Sequence, residues 1–352
     1  MSELTVVLLF GGQSSEHDIS CLSAKNVLKR LPQDKYRVLP VGITKDGRWL
    51  LTTREAAADG SWEQSDTSAW LLPDASEHCL LTEKSGTVTK LPIDVVFPVL
   101  HGRFGEDGTV QGLCELARIP CVGCGTASSA VCMDKLFTKA LVRELGIAQA
   151  SYLAVGKHEL LRPDLVTARI EAALPYPVFV KPSDGGSSQG VTCVEDRDAL
   201  LPALKQAASE GTRILVEEKI VGRELECAVL GRSWDARVCG VGEIHSAESF
   251  YSFDAKYSNP ESVTDTAPVL PEGKAEEICM AARRIFAAVR GWGLARVDFF
   301  LEKDTDRVVF NEINTMPGFT DISMYPQLLT ASGVAPEMQA ELLIQLALLE
   351  KG

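Results

Sequence analysis

The N-terminal third of the chain alternates apolar runs with segments of helical periodicity. Residues 4–10 form an apolar run that is typical of a strand buried on both faces, and the run ends at two glycines. Residues 14–31 then show helical periodicity, with serines available as caps. Residues 36–43 and 93–100 are predicted to be further strands, and the polar stretch 52–90 is predicted to be irregular. Strands that alternate with helices, with glycine-rich loops at the strand ends, predict an open parallel α/β sheet that carries function on its carboxyl edge.

The remaining two thirds of the chain have a different, α+β pattern. A helix is predicted to begin near residues 133–135. Short strands are predicted at Val178–Pro182, Ile214–Glu218 and Glu224–Leu230. Residues 245–266 are polar, and a loop of that length is usually a lid or a disordered segment. A chain of 352 residues exceeds one ordinary core, so we expect two or three domains.

A hairpin near the C-terminus concentrates residues that could bind a metal. Two arms rich in β-branched and aromatic residues flank a charged turn. A hairpin centred near Thr305 places Asp298 opposite Glu312 and Arg296 opposite Asn314, with all four side chains on one face. Two carboxylates and a carboxamide are hard oxygen ligands for Mg²⁺, and the arginine can neutralise developing negative charge. A structural salt bridge is the alternative interpretation.

A second candidate site lies between two of the predicted strands. Lys181 precedes the glycine- and serine-rich segment 183–191, whose backbone N–H groups could cradle phosphate oxygens. The segment does not match a Walker loop, and a plain β-turn is about as probable an interpretation of it alone. A lysine, a flexible loop and paired acidic ligands are together what phosphoryl transfer through Mg²⁺ requires.

The bulk composition narrows the partners and the compartment. The chain is 45% hydrophobic and 24% charged, which is typical of a globular protein. A net charge of −13 would repel nucleic acid and anionic membranes, so we expect neither as a partner. No apolar run approaches the roughly 20 residues that a spanning helix needs. The first residues lack a basic n-region, so we expect no signal peptide and a cytoplasmic protein.

The ten cysteines are dispersed along the chain, and we interpret them as reduced, mostly buried thiols. Cys121 and Cys124 have CxxC spacing, but no second pair lies at a distance typical of zinc sites. We therefore favour a loop after a strand over metal or redox chemistry for this pair.

Eight segments, in the right order, make the sequence similar to the D-alanine–D-alanine ligases, a family of ATP-grasp carboxylate–amine ligases. The resemblance covers nearly the whole chain. Its carriers are GGQSSEHDIS (11–20), HGRFGEDGTVQG (101–112), MDKLFTK (133–139), VKPSDGGSSQGV (180–191), VEEKIVGRE (216–224), FYSFDAKY (250–257), ARVDFF (295–300) and NEINTMPGFTDISMYP (311–326).

The resemblance implies an N-terminal α/β substrate domain followed by an ATP-grasp fold of two α+β subdomains. The implied boundaries are 1–134, 135–218 and 219–352, with the lid loop at 245–266. The implied reaction joins two D-alanines through a D-alanyl phosphate and supplies peptidoglycan precursor synthesis. The alternative is a D-alanine–D-serine or D-alanine–D-lactate ligase of the vancomycin-resistance type. Another ATP-grasp enzyme and a non-catalytic nucleotide-binding module are more distant alternatives.

The resemblance also implies roles for individual residues. Glu16 would hold the first D-alanine's ammonium near His101, and Tyr257 of the lid would close a hydrogen-bond network with Glu16 and the loop serine Ser187. Gly318, Ser323 and Met324 would contact the second substrate, and Arg296 would stabilise the oxyanion. The residues implied for ATP, as co-substrate, are Lys135, Lys181, Ser187, Ser188, Glu217, Glu218, Ile220, Glu224 and Lys256.

Asp298, Glu312 and Asn314 would ligate two Mg²⁺ ions, with Mn²⁺ as an alternative and Glu312 bridging. Gln189 departs from the family pattern, because many relatives carry an apolar residue there. Relatives are usually dimers, so the resemblance also implies a homodimer.

Overall fold

The computed structural model describes residues 3–186, 189–245 and 263–349. Within these ranges the strands form three sheets that follow one another along the chain. None of the helices there is long and apolar enough to cross a membrane. The helices are α1 (His17–Arg30), α2 (Arg54–Asp59), α3 (Thr109–Leu116), α4 (Thr126–Met133), α5 (Lys135–Glu144), α6 (Pro163–Ala173), α7 (Arg197–Glu210), α8 (Lys274–Ala288), α9 (Met324–Ala331) and α10 (Pro336–Leu349).

The first sheet has a parallel centre, as the apolar runs predict. Its strands are β1 (Leu4–Gly11), β2 (Tyr36–Ile43), β3 (Trp49–Leu51), β4 (Ser68–Leu71), β5 (Cys79–Lys84), β6 (Thr87–Pro92) and β7 (Val95–Pro98). The spatial order is β6-β5-β4-β3-β2-β1-β7. β1 lies between β2 and β7 and runs parallel to both. Because its residues from Val6 onward are buried, β1 has the continuous apolar sequence of a central parallel strand.

The prediction that residues 52–90 are irregular is wrong. This segment contributes α2 and the strands β4, β5 and β6, and the pairs from β2 to β6 are antiparallel, so the sheet is mixed rather than wholly parallel. β6 is exposed along nearly its whole length, and β4 has only four residues. β6 lies at the edge of the sheet and buries almost nothing, and β4 contributes only two buried side chains, so neither strand shows a clear apolar alternation in the sequence.

The second sheet is antiparallel and carries two helices. Its strands are β8 (Tyr152–Gly156), β9 (Val178–Pro182), β10 (Thr192–Val194) and β11 (Arg213–Glu218), in the order β10-β9-β11-β8. Apolar residues of α6 and α7, among them Ile170 and Leu204, share a buried core with Val180 and Ile214 of the sheet. The predicted strands at 178–182 and 214–218 are confirmed.

The third sheet contains the predicted hairpin. Its strands are β12 (Gly222–Arg232), β13 (Arg237–His245), β14 (Val263–Asp265), β15 (Trp292–Glu302) and β16 (Val308–Asn314), in the order β14-β13-β12-β15-β16. Asp298 pairs with Glu312 and Arg296 with Asn314, so the predicted register is confirmed. Between Asp298 and Phe299 the register shifts by one and skips Asn311, which marks a β-bulge just on the turn side of the site.

The C-terminal helices pack the third sheet against the first. Leu328 of α9 and Leu343 of α10 belong to one buried core with Val6 and Phe97 of the first sheet. The Phe97 and Phe319 rings meet edge to face, with their centroids 6.4 Å apart. This contact fixes the loop between β16 and α9 against the first sheet. The domain boundaries at 134/135 and 218/219 stay a prediction.

Two glycines, Gly123 and Gly293, lie close together where the segment before α4 meets β15. Gly293 has φ +73°, and a Cβ atom on it would lie 3.2 Å from both N and Cα of Gly123. Gly273, the residue before α8, has a similar φ of +76° but nothing within 4 Å of its Cβ position. Alanine substitutions at Gly293 and Gly273 can therefore be compared to separate the cost of a left-handed backbone from the cost of crowding.

We expect Gly293→Ala to lower the free energy of unfolding by about 2–4 kcal/mol, since a left-handed residue costs about 1–2 kcal/mol and crowding adds about 1–3 kcal/mol. Gly273→Ala should lose only about 1–2 kcal/mol. Urea unfolding followed by circular dichroism measures both. Equal losses in the two variants would contradict close packing at Gly123.

Candidate active site

Two adjoining compartments form one cleft among the three sheets. The first compartment is lined by residues that include Glu16, His101, Arg296, Asn314, Gly318, Ser323 and Met324. The second is lined by residues that include Lys139, Lys181, Gln189, Glu217, Glu218, Ile220, Glu224 and Asp298. Lys135, Gly185, Glu226 and Glu312 line both compartments. Every described residue that the sequence predicts for the site therefore lies in this cleft.

Arg296 is fixed between two carboxylates on neighbouring strands. Its guanidinium donates two hydrogen bonds to Asp298, Nε to Oδ1 at 2.8 Å and an Nη to Oδ2 at 2.7 Å. Nε also lies 3.2 Å from Oε2 of Glu226, which pairs with Asp298 in the β12–β15 ladder. Burial opposes the guanidinium charge, but the charges of Asp298 and Glu226 outweigh burial and hold the pKa of Arg296 well above its ordinary value. The arginine is therefore a fixed positive charge at the end of the first compartment.

Glu312 connects the hairpin to helix α5 at the junction of the compartments. Its Oε2 lies 3.2 Å from Nζ of Lys135, the first residue of α5. The same ammonium donates a hydrogen bond to the Gly185 carbonyl at 2.8 Å. Burial disfavours the ammonium charge, but the charge of Glu312 outweighs it and raises the pKa of Lys135 above its ordinary value. Asp134 caps this helix by accepting from the N–H of Leu136 at 3.0 Å, which fixes the helix start beside the cleft.

The donor set on the hairpin fits a hard cation. Asp298, Glu312 and Asn314 supply oxygen atoms from one face of two paired strands. Asn314 is oriented by its Oδ1, which accepts from the N–H of Met316 at 2.9 Å. Each carboxylate oxygen has a second lone pair, so the bonds from Arg296 do not exhaust Asp298. Over residues 3–186, 189–245 and 263–349 no group of three or more His, Cys, Asp or Glu side chains is placed to hold a metal, so a set here must include the carboxamide.

Two glycines press closely on the Glu16 carboxylate. A Cβ atom on Gly102 would lie 2.7 Å from Oε2 of Glu16, and one on Gly186 would lie 2.8 Å from the same oxygen. A side chain at either position would displace the Glu16 carboxylate, and Gly102 also has a left-handed φ of +71°. The contact brings the start of the glycine- and serine-rich loop to Glu16, although Ser187 and Ser188 lie outside the described residues. Lys256 and Tyr257 of the predicted lid lie outside them too.

His101 ties the first sheet to the loop after β16. Its Nδ1 lies 3.0 Å from the Met316 carbonyl, and because a carbonyl only accepts, Nδ1 must carry the proton. Nε2 then accepts from the hydroxyl of Ser23 at 3.3 Å, and that hydroxyl accepts in turn from the N–H of Phe319 at 3.3 Å. Burial is the main reason that the pKa of His101 lies below its ordinary value. The neutral ring holds this loop at two points.

The loop after β16 presents its polar groups to the first compartment. The Ser323 hydroxyl accepts from the N–H of Thr320 at 3.2 Å and lies 2.7 Å from its Oγ1. A Cβ atom on Gly318 would lie 2.8 Å from this hydroxyl, so a side chain there would displace it. Met324 follows as the first residue of α9, and its sulfur lies over Gly242 of β13. The wall of the compartment at Met324 is therefore apolar.

The second compartment contains a carboxylate between two lysines. Lys181 pairs with Leu215 in the β9–β11 ladder, so Glu217 lies two residues further on the same face. The ammonium groups of Lys181 and Lys139 form ion pairs with different oxygens of Glu217. Burial alone would raise the pKa of Glu217, but the two lysines outweigh burial and lower it to about 2. Glu218, by contrast, accepts from the N–H of Ser151 at 2.8 Å.

Two family models match the chain. Residues 5–124 match the model described as D-ala D-ala ligase N-terminus, and residues 141–345 match the model described as D-ala D-ala ligase C-terminus. The chain belongs to the D-alanine–D-alanine ligase family. The resemblance seen in its eight sequence segments is thereby confirmed.

Individual members of the D-alanine–D-alanine ligase family align with this chain over nearly its full length. The chain is 47% identical to the D-alanine–D-alanine ligase of Caldicellulosiruptor bescii, over 99% of this chain and 96% of that one. It is 45% identical to the enzyme of Ruminiclostridium cellulolyticum, again over 99% of this chain and 96% of that one.

Solved structures of the family confirm the predicted ATP-grasp fold. The VanG D-Ala:D-Ser ligase of Enterococcus faecalis has a TM-score of 0.88 at 34% identity, over 98% of this chain and 100% of that one. The D-alanine–D-alanine ligase of Coxiella burnetii has a TM-score of 0.87 at 34% identity, over 100% of this chain and 95% of that one.

Sequence reasoning missed several charged residues of the cleft, among them Glu226, Glu106 and Lys139. For Glu226 the sequence offers only a weak signal, namely its position in the segment of alternating apolar and polar residues that forms β12. Glu106 stands in the segment HGRFGEDG and accepts from the N–H of Gly102 at 2.9 Å; burial is the main reason that its pKa lies well above the ordinary range. Lys139 follows Lys135 by one helical turn, which is the spacing that places two side chains on one face.

We expect Glu312→Gln to weaken Mn²⁺ binding, measured by electron paramagnetic resonance in the presence of ADP, by at least about tenfold because a carboxamide lacks the ligand charge. Glu302→Gln is the matched control, since Glu302 lies on the same hairpin and bonds to Arg307 at its turn. That control should bind Mn²⁺ as the parent does. Parental affinity in a folded Glu312→Gln protein would refute the hairpin as the metal site.

Proposed function

We propose that this chain joins two D-alanines to D-alanyl-D-alanine, converts ATP to ADP and phosphate, and supplies peptidoglycan precursor synthesis. The observation that carries the proposal is the shared wall of the two compartments. Lys135 and Glu312 line both, so a carboxylate substrate near Glu16 and a triphosphate near Lys181 would meet at the hairpin. Family membership supports the same reaction.

The first compartment suits the first D-alanine. The Glu16 carboxylate is an acceptor for the substrate ammonium, and it is buried, so solvent screens the attraction only weakly. The neutral ring of His101 contributes no competing positive charge. The substrate's own carboxylate would then point toward Arg296 and Lys135, the cations that line the same compartment.

The second compartment suits ATP. Glu217 would accept from the adenine amino group beside Glu218 and Ile220, Glu224 would bind the ribose, and Lys181 and Lys135 would contact the phosphates, with Ser187, Ser188 and Lys256 completing the site. Two Mg²⁺ or Mn²⁺ ions on Asp298, Glu312 and Asn314 would supply charge neutralisation at the β- and γ-phosphates.

The first chemical step activates a poor electrophile. An oxygen of the first D-alanine's carboxylate attacks the γ-phosphorus, the bond to the β-phosphate oxygen breaks, and ADP leaves. The product is a D-alanyl phosphate, whose phosphate is a good leaving group. Because acyl phosphates hydrolyse, the reaction needs a cleft closed to water, which is the task that we propose for residues 245–266 and the serine loop.

The second step forms the amide. The amine of the second D-alanine, whose carboxylate would bind near Gly318 and Ser323, attacks the acyl carbon and loses a proton. We propose that the network of Glu16, Ser187 and Tyr257 assists this transfer. The tetrahedral oxyanion develops toward Arg296, and phosphate then leaves. One preorganised donor of this kind contributes about 3–4 kcal/mol in other enzymes.

A D-alanine–D-serine ligase is the second candidate, because VanG is a structural neighbour over the full chain. Met324 argues against it. This residue contributes an apolar wall beside Ser323, and a serine hydroxyl buried against it would lose its hydrogen bonds to water.

We also propose a cytoplasmic homodimer. ATP as a co-substrate requires access to the cytoplasmic nucleotide pool, and the dimer follows from the family alone.

The function itself is tested by phosphate release in the presence of ATP, Mg²⁺ and D-alanine. ATP- and D-alanine-dependent release supports the proposal. Release with other amino acids only would indicate a different ATP-grasp enzyme, and ATP binding without release would indicate a binding module.

We expect D-alanine to be the preferred second substrate over D-serine and D-lactate at neutral pH. An unpaired hydroxyl costs about 1–3 kcal/mol, so D-serine should react about five- to 150-fold less efficiently. The three substrates are offered together at equal concentration and the products are identified by mass spectrometry. D-alanyl-D-serine or a depsipeptide as the major product would overturn the assignment.

A further inference from the structure

The proposed reaction gives no task to Lys139, although this lysine is among the most deeply buried charges of the cleft. Its Nζ lies 2.8 Å from Oε2 of Glu217, while Lys181 holds the other carboxylate oxygen. The Glu217 side chain is only 5% exposed, so this charge balance is sheltered from water. One buried carboxylate is thus shared by two lysines of the protein itself.

The two lysines differ in their freedom to move. The Lys139 side chain is 2% exposed and that of Lys181 is 13% exposed. Both ammonium groups have a cation–π contact, that of Lys139 at 5.3 Å from the centre of the Tyr152 ring and that of Lys181 at 5.5 Å from the centre of the Phe179 ring, so the difference lies in burial and position. Lys139 emerges from the middle of α5. Lys181 stands near the end of β9, immediately before the glycine-rich loop. Its greater exposure and its place beside the loop make Lys181 the better placed of the two lysines to exchange partners.

The charge on Glu217 decides what this carboxylate can recognise. An ionised carboxylate only accepts hydrogen bonds, whereas a protonated one can also donate. Adenine presents an amino donor at its C6 edge, and hypoxanthine presents a carbonyl acceptor at the same place. A buried glutamate that lost both cations would take up a proton and would no longer distinguish these bases.

We propose that Lys139 is a positioning residue that keeps Glu217 ionised and directed at the base, while Lys181 exchanges Glu217 for the phosphates of the nucleotide. This inference rests on the proposed function and deepens it. Lys135 and Lys139 lie one turn apart on α5, so a single helix would fix both the junction at Glu312 and the carboxylate that selects adenine.

The test compares the parent with Lys139→Met, using ATP and inosine triphosphate at saturating D-alanine. We expect kcat/KM for ATP to fall at least about tenfold, mostly through KM, because one partner of a buried ion pair is lost. The preference for ATP over inosine triphosphate should shrink by a similar factor, and the KM for D-alanine should change less than about twofold. Lys205→Met, at an exposed lysine of α7, is the matched control and should leave all three quantities unchanged.

A double-mutant cycle with Glu217→Gln separates this role from general packing. In the Glu217→Gln background the carboxylate charge that Lys139 compensates is gone. Lys139→Met should therefore change the kinetics with ATP by less than about twofold in that background. If the single Lys139→Met protein does not fold, the double variant provides the test. If the double variant folds and has the same base preference as Glu217→Gln, the proposal is supported. A folded Lys139→Met protein with parental ATP KM and parental base preference overturns it. Equal losses in both backgrounds also overturn it.

Failure of the proposed function would look different. A parent protein that releases no phosphate with ATP and D-alanine would refute that function before any Lys139 variant is compared. An active parent with an unaffected Lys139→Met variant would refute only the role of Lys139.

Discussion

Charge compensation inside the cleft is the constraint on which the rest of the site depends. Among the described residues, each cation that the reaction would use is paired in the protein itself: Lys135 with Glu312, Lys181 with Glu217, and Arg296 with Asp298 and Glu226. A buried charge without a partner is strongly unfavourable, so these pairs allow the charged groups to be assembled before a ligand arrives. Binding of an anionic ligand is then an exchange of ionic partners at these cations. Such local cations allow anionic ligands to bind although the net charge of the whole chain is −13.

Close glycine contacts give this electrostatic arrangement its geometry. Gly102 and Gly186 approach the Glu16 carboxylate from two separate loops, and Gly318 approaches the Ser323 hydroxyl. A side chain at any of these positions would occupy the space of the functional oxygen. The neutral His101 ring adds two hydrogen-bonded links to the loop that carries Gly318. The polar groups of the first compartment are thus positioned by backbone packing as much as by charge.

The sequence predicts those parts of the molecule in which one local pattern determines the outcome. The apolar run of β1 predicts a central strand, and the alternation of Asp298 and Arg296 against Glu312 and Asn314 predicts the register. Among the missed strands, β6 lies exposed at the sheet edge and β4 is too short to show an alternation. Lys139 and Glu226 were missed because their partners come from other elements, and such long-range pairing leaves no periodic signal.

The bulge at Asn311 divides the hairpin into two halves of different register. The half next to the turn contributes Phe299 and Phe310 to a buried apolar core, while the other half carries the polar site. Because the bulge absorbs one residue of β16, Asp298 and Glu312 lie directly opposite each other although the turn half is paired one residue out of step with them. A bulge also bends the strand that contains it and increases its twist, so β16 changes direction between its apolar half and the half that carries Glu312 and Asn314.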